Sequence, residues 1–245
     1  MAKPRHLQRA PITEAVMELR VIEAGPVDAE VVRSFGAKCP RFTTEPQKQV
    51  QHTLSLGPEG PSARVEDFGI RSLRLVSPDG RNVAQISTEA YAHSRLAPYT
   101  QWADLRRDTA EVWEVYRAIM RPMRVVRIGV RFLNRLELPL PIANLKVFLE
   151  APPQVPPGAL PQLNTFVTRV VTTSGDGART SSISQAVIET ADPNRISLVL
   201  DIDVAFTRPL SPDDTRIWDE ADHLRALKND VFFGSITEET VRMYE

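Results

Sequence analysis

The stretch Arg124-Val125-Val126-Arg127-Ile128-Gly129-Val130-Arg131-Phe132-Leu133-Asn134-Arg135-Leu136-Glu137-Leu138 decides the reading of the chain. Val126, Ile128, Val130, Phe132 and Leu136 fall on one face of an extended backbone, and Arg127, Arg131 and Arg135 fall on the other. A period of two with an apolar and a charged side is the pattern of a half-buried β-strand. Alternate residues of a strand stand roughly 6.5–7 Å apart, so arginines four positions apart are spread about 13 Å per step. They form a row and not one pocket. Gly129 lies on the arginine face between two of them, which leaves room for a close approach to the backbone.

Two other segments share this pattern. Residues 12–23 place Ala15, Met17, Leu19 and Val21 on one face and Glu14, Glu18 and Arg20 on the other. Arg195–Phe206 alternates Ile196, Leu198, Leu200, Ile202, Val204 and Phe206, with Asp201 and Asp203 opposite. Weaker strands are expected at Gln47–Leu56, Leu163–Thr173 and Ser181–Thr190, and a hairpin at Gly69–Val76 and Arg81–Thr88 through Ser77-Pro78-Asp79-Gly80. A proline-rich loop covers Ala151–Pro161.

Helical spacing marks two long helices. Trp102, Leu105, Val112, Trp113, Tyr116 and Met120 recur from about Thr100 to Met120, where Pro122 stops the run. Ile217, Ala221, Leu224, Leu227 and Val231 recur from about Asp213, with Ser211 or Asp213 as the cap. Short helices are expected from Asp28 to Phe35, closed by Gly36, and around Asn144–Leu149. Residues 1–122 and 123–245 therefore both read β-α-β-β-β-α. This predicts one compact α+β unit with a pseudo-twofold repeat. It has a large curved antiparallel sheet, or sheets, with the two long helices packed on one face.

The 245 residues carry 30 basic and 31 acidic side chains, a net charge of -1, with 42% hydrophobic and 25% charged residues. That balance excludes a disordered chain and a uniformly basic nucleic-acid or membrane-binding surface. No stretch approaches a spanning helix, and the start of the sequence lacks a secretory apolar run, so a cytoplasmic protein without membrane contact is expected. Cys39 is the lone cysteine, which rules out an internal disulfide. The neutrality is only a total. The segment between Glu114 and Glu137 holds six arginines and no acid, whereas Asp201 to Glu245 holds 11 acidic and 5 basic residues. Arginine outnumbers lysine 25 to 5, which fits either a GC-rich coding bias or bidentate recognition of carboxylate and phosphate.

The candidate binding residues are thus Glu14, Glu18, Arg20, Arg127, Arg131, Arg135, Asp201 and Asp203. If the first strands of the two halves are equivalent, Glu14 and Glu18 answer Arg127 and Arg131. The bland reading of this set is a ladder of cross-strand salt bridges on a solvated face. The sharper one is a polar surface that holds an anion or a partner's charged segment. Asp201-x-Asp203 is only a fragment of a hard-cation site, and His6, His52, His93 and His223 have no metal-binding spacing. No metal or cofactor is assigned. Phosphate-loop, dinucleotide and nucleophile-elbow motifs are lacking.

The segments Ala10-Pro11-Ile12-Thr13-Glu14-Ala15, Arg127-Ile128-Gly129-Val130-Arg131-Phe132-Leu133-Asn134-Arg135, Leu200-Asp201-Ile202-Asp203-Val204 and Phe232-Phe233-Gly234-Ser235-Ile236-Thr237-Glu238 span nearly the whole chain. In combination they resemble a sporadically distributed family of uncharacterised bacterial proteins of similar length. The resemblance implies no established activity. Its patchy distribution implies mobile or accessory genes, including defence and toxin–antitoxin contexts. The leading expectation is a non-enzymatic binding or adaptor protein that engages a protein partner, or a second copy of itself, through the charged face. The enzymatic alternative resembles the triphosphate tunnel group, metal-dependent phosphohydrolases whose inward Arg, Lys and Glu hold polyphosphate. That group's Glu-x-Glu-x-Lys start is only partly matched by Glu18-Leu19-Arg20. Nucleic-acid binding through the arginine row ranks third, since Phe132 faces away from Arg131.

Overall fold

A computed structural model describes residues 2–22, 24–57, 60–142, 144–156, 158, 164–188, 190 and 192–245, and for 49–57 and 60–68 it describes the backbone alone. In chain order the elements are β1 (Ile12–Ile22), α1 (Ala29–Lys38), β2 (Thr43–Gly57), β3 (Gly60–Val76), β4 (Asn82–Ser87), β5 (Ala90–Leu96) and α2 (Trp102–Met120). There follow β6 (Arg124–Pro139), a 3-10 turn at Leu145–Val147, β7 (Val167–Thr173), β8 (Arg179–Ile188), β9 (Arg195–Phe206), α3 (Arg216–Ser235) and α4 (Glu238–Arg242). The fold is α+β. All nine strands join one sheet in the order β2-β3-β4-β5-β1-β6-β9-β8-β7, each neighbour antiparallel, and the sheet is open.

The three strands with the clearest alternation, β1, β6 and β9, occupy the middle of the sheet. Their inward residues Met17, Leu19, Ile128, Val130, Phe132, Leu200, Ile202 and Val204 are buried in a single core that draws on both halves of the chain. Helix α2 lies over β1 and β5, and α3 lies over β6 and β9. Both feed that core, through Leu105, Val112, Trp113, Tyr116 and Met120 from α2 and Ile217, Ala221 and Leu224 from α3. The helices are also bonded to each other, since the Trp102 indole N–H donates to Asp222 (2.6 Å). They therefore cover the same side of the sheet.

Several boundaries differ from the expectations. Helix α1 starts at the expected Asp28, whose carboxylate accepts from the Glu30 and Val31 amides, but it runs through Gly36 to Lys38. Gly36 does not close it. A Cβ there would stand 3.4 Å from the Thr44 hydroxyl, at the edge of ordinary contact. Helix α3 starts at Arg216. Ser211 donates to Asp213, so neither caps it, while Asp214 accepts from the Arg216 amide (2.9 Å). The expected helix at Asn144–Leu149 is a single 3-10 turn. The first half contains a fourth strand after its first helix, β5. On β6 the inward residue near the start is Val125 and not Val126, because the register with β1 shifts between Arg20 and Val21. Leu163, and residues 157 and 159–161 of the expected proline-rich loop, lie outside the described residues. No helix among the described residues is long and apolar enough to cross a membrane.

Candidate functional site

Strand parity puts all eight candidate residues on the sheet face opposite the helices, and the register brings most of them together. Arg127 is the hub. Its Nη2 donates to both Asp203 oxygens (2.8 and 2.7 Å), and its Nη1 donates to Glu18. Glu18 also accepts from Arg20 Nε (3.1 Å). Arg131 forks onto Asp201, with Nε to Oδ1 at 2.9 Å and Nη2 to Oδ2 at 2.7 Å. This hydrogen-bonded carboxylate lifts the guanidinium pKa above its ordinary value, and the nearby charges of Asp203 and Glu14 add to the effect. Glu14 acts only through space. Arg135 stands apart from the others, held by Glu137 (2.5 Å) and the Ser197 hydroxyl (2.9 Å).

Gly129 explains how the hub is seated. An added Cβ would fall 2.0 Å from Arg127 Nη1 and 2.9 Å from its Cζ. The group that approaches this backbone is therefore the protein's own guanidinium, which lies across the glycine to reach Glu18 on one side and Asp203 on the other. The pairings are diagonal. Arg131 stands opposite Asp203 in the ladder yet bonds Asp201.

These contacts limit what the face can do chemically. The forks of Arg127 and Arg131 are filled by carboxylates, so an incoming phosphate would have to displace one of them. Asp201 and Asp203 turn to different arginines and do not converge on one point. No group of three His, Cys, Asp or Glu side chains able to hold a metal ion occurs among the described residues. Two cavities, of about 820 and 590 Å³, are lined by other residues.

Two further constellations were not foreseen. At the start of α2, Arg95 binds the buried Asp108 (2.5 Å), Arg107 binds Asp104 (3.0 Å) and Arg41 binds Glu111 (2.7 Å), which ties β5 and the α1–β2 connection to the helix. Beneath them Tyr91 donates its hydroxyl to the Thr109 carbonyl (3.0 Å) and sits 3.1 Å from His93 Nδ1. That bond assigns the proton to Nδ1. Burial pushes the His93 pKa down to about 4, and the Cys39 thiol up, so both are neutral near pH 7. The second constellation is Lys228 of α3, which is 6% exposed inside the smaller cavity. A signal for it was present, since Lys228 stands four residues after Leu224 on the buried stripe.

No protein-family model matches the chain, and no curated protein matches it.

Proposed function

We propose that the protein is a non-enzymatic binding or adaptor protein that receives a protein partner on the polar face of its sheet. The supporting observation is that α2 and α3 share the opposite side, and among the described residues no helix lies over the β1, β6 and β9 charge ladder. A partner meets a surface whose charges are already oriented and neutralised in pairs. Such a surface selects by register and hydrogen bonding more than by attraction. A second copy of this chain in a symmetric dimer is one form of that partner.

The phosphohydrolase and nucleic-acid alternatives draw no support from this face, because its arginines are engaged and its sheet is open. We further read residues 1–122 and 123–245 as two versions of one curved unit. In each, a central first strand pairs with the last strand before the long helix, β1 with β5 and β6 with β9, and the remaining strands meander outward.

The test isolates the protein with its native neighbours and maps amide exchange with and without what it retains. Protection over β1, β6 and β9, lost in the folded variants Glu18→Lys and Arg131→Glu, supports the reading. A monomer whose exchange on these strands is unchanged, or whose partner survives both reversals, overturns it.

A further inference from the structure

Lys228 occupies the buried stripe of α3 between Leu224 and Phe232, a position that lysine almost never fills without a carboxylate. Among the described residues no acid pairs with it. Its ammonium instead stands 3.8 Å from the centre of the Phe132 ring. Arg225, one turn earlier, reaches the same cavity and also has no ion-pair partner among the described residues. The wall facing the helix carries Phe132 with Tyr99 set edge-on against it (5.4 Å), and Trp102 beside them.

Another wall is the segment that leads into β1, residues 4–8 and 10–12. It is tied down at several points. Ala2 donates its amide to the Phe233 and Ile236 carbonyls (3.1 and 3.2 Å), and the Arg9 amide donates to Tyr244 (3.1 Å). Arg5 binds Glu238 (2.7 Å) and Glu245 (2.6 Å), so its charge is compensated. No carboxylate lines the cavity among the described residues. A space of about 590 Å³ with aromatic walls, two uncompensated cations and no acid is shaped for one kind of guest.

We propose that this cavity binds a small organic anion, a carboxylate or phosphate carried on a flat apolar body. The anion meets Lys228 and Arg225, and the body lies against Phe132, Tyr99 and Trp102. This site is independent of the partner surface, because it lies on the helix-covered side of the sheet. An ammonium with no buried counter-charge acquires one when the guest binds, which favours the charged guest over its neutral isostere.

Calorimetric titration of the full chain with indole-3-acetate against indole-3-acetamide, and with adenosine monophosphate against adenosine, tests the assignment. The two pairs separate a carboxylate guest from a phosphate guest. At about pH 6 at least one acid binds about tenfold or more tightly than its neutral counterpart. Lys228→Met removes that preference, and Arg225→Gln, at an exposed position, reduces it. Burial and the neighbouring Arg225 hold the Lys228 pKa down to about 7, so the preference also fades in the unmodified protein as pH rises towards about 9. The other titratable or charged groups facing the cavity are Arg5, His6, Tyr99 and Arg225. The fade persists in His6→Gln if Lys228 is its source. Equal binding of acid and neutral compound in both pairs, no binding of any probe, or a preference that survives Lys228→Met overturns the proposal.

Discussion

Arg127 and Arg131 on one side of the sheet and Lys228 on the other hold positive charge in opposite ways. On the open side Arg127 and Arg131 are 20% and 49% exposed, and every fork is filled by a carboxylate of the same protein. On the helix side Lys228 is nearly sealed from water, and among the described residues its ammonium meets an aromatic ring and no carboxylate. Water screens the first set, so its pairing stabilises little and is cheaply kept. Nothing screens the second, so its solitude costs stability. The conspicuous charges are thus the ones whose bonding is complete, and the inconspicuous one has bonding capacity left over.

The sharpest way to break this comparison is to remove the solitary charge. Lys228→Met is expected to stabilise the protein at and below neutral pH, by roughly 3–5 kcal/mol at about 1.4 kcal/mol per pKa unit. The sign follows from a folded pKa of about 7 against 10.5 for the free side chain. Below pH 7 both folded and unfolded chains hold the proton, and the burial penalty is fully present. Between 7 and 10.5 the unfolded chain binds more protons than the folded one, so stability rises with pH and the advantage of the variant shrinks. Urea unfolding of both proteins across this range checks it. A variant less stable than its parent at pH 6 would show that the ammonium is compensated after all.

The hub of the ladder comes next. Arg127→Met leaves Asp203 without its partner and Glu18 with Arg20 alone, both half-buried, and is expected to cost about 1–2 kcal/mol. Gly129→Ala pushes a methyl into the seat of the same guanidinium and is expected to cost about 1 kcal/mol. Because both act on one contact, the double variant is expected to be no worse than Arg127→Met alone. Full additivity in a double-mutant cycle would mean that Arg127 does not rest on Gly129. The smallest effect is expected for Arg131→Met, about 0.5 kcal/mol and weaker still in high salt, since half of that side chain is in water.

How far the sequence discloses such features depends on the physics behind them. Strand parity is a local property, and it places Arg127, Arg131, Asp201 and Asp203 on one face correctly. It carries no information on register. The diagonal choice of Asp201 by Arg131, and the shift that turns Val125 inward, belong to pairings between distant strands. Strand β5 is not legible in the sequence because its inward residues include Tyr91 and His93, and the latter interrupts the apolar signal. Its end, Arg95-Leu96, reads as an approach to α2. Lys228 was hidden for a similar reason. Helical spacing puts it on the stripe of Leu224, but a lysine is ordinarily assigned to solvent, and only the packed cavity shows that it is not there.

The seam between β1 and β6 has a consequence for synthesis. Thr13, on β1, bonds the carbonyl of Leu133, 120 residues away in sequence (3.2 Å). In order of synthesis β5 precedes β6, so β1 has one sheet neighbour available before the other, by a few seconds at about 5–20 residues per second. Throughout that interval one side of its backbone is unpaired and open to any passing strand. Glu14, Glu18 and Arg20 project beside that temporary edge, and ionised side chains are a standard deterrent to unwanted strand addition. Glu18, which later binds Arg127, thus stands first beside the open edge of a chain that has not yet met it.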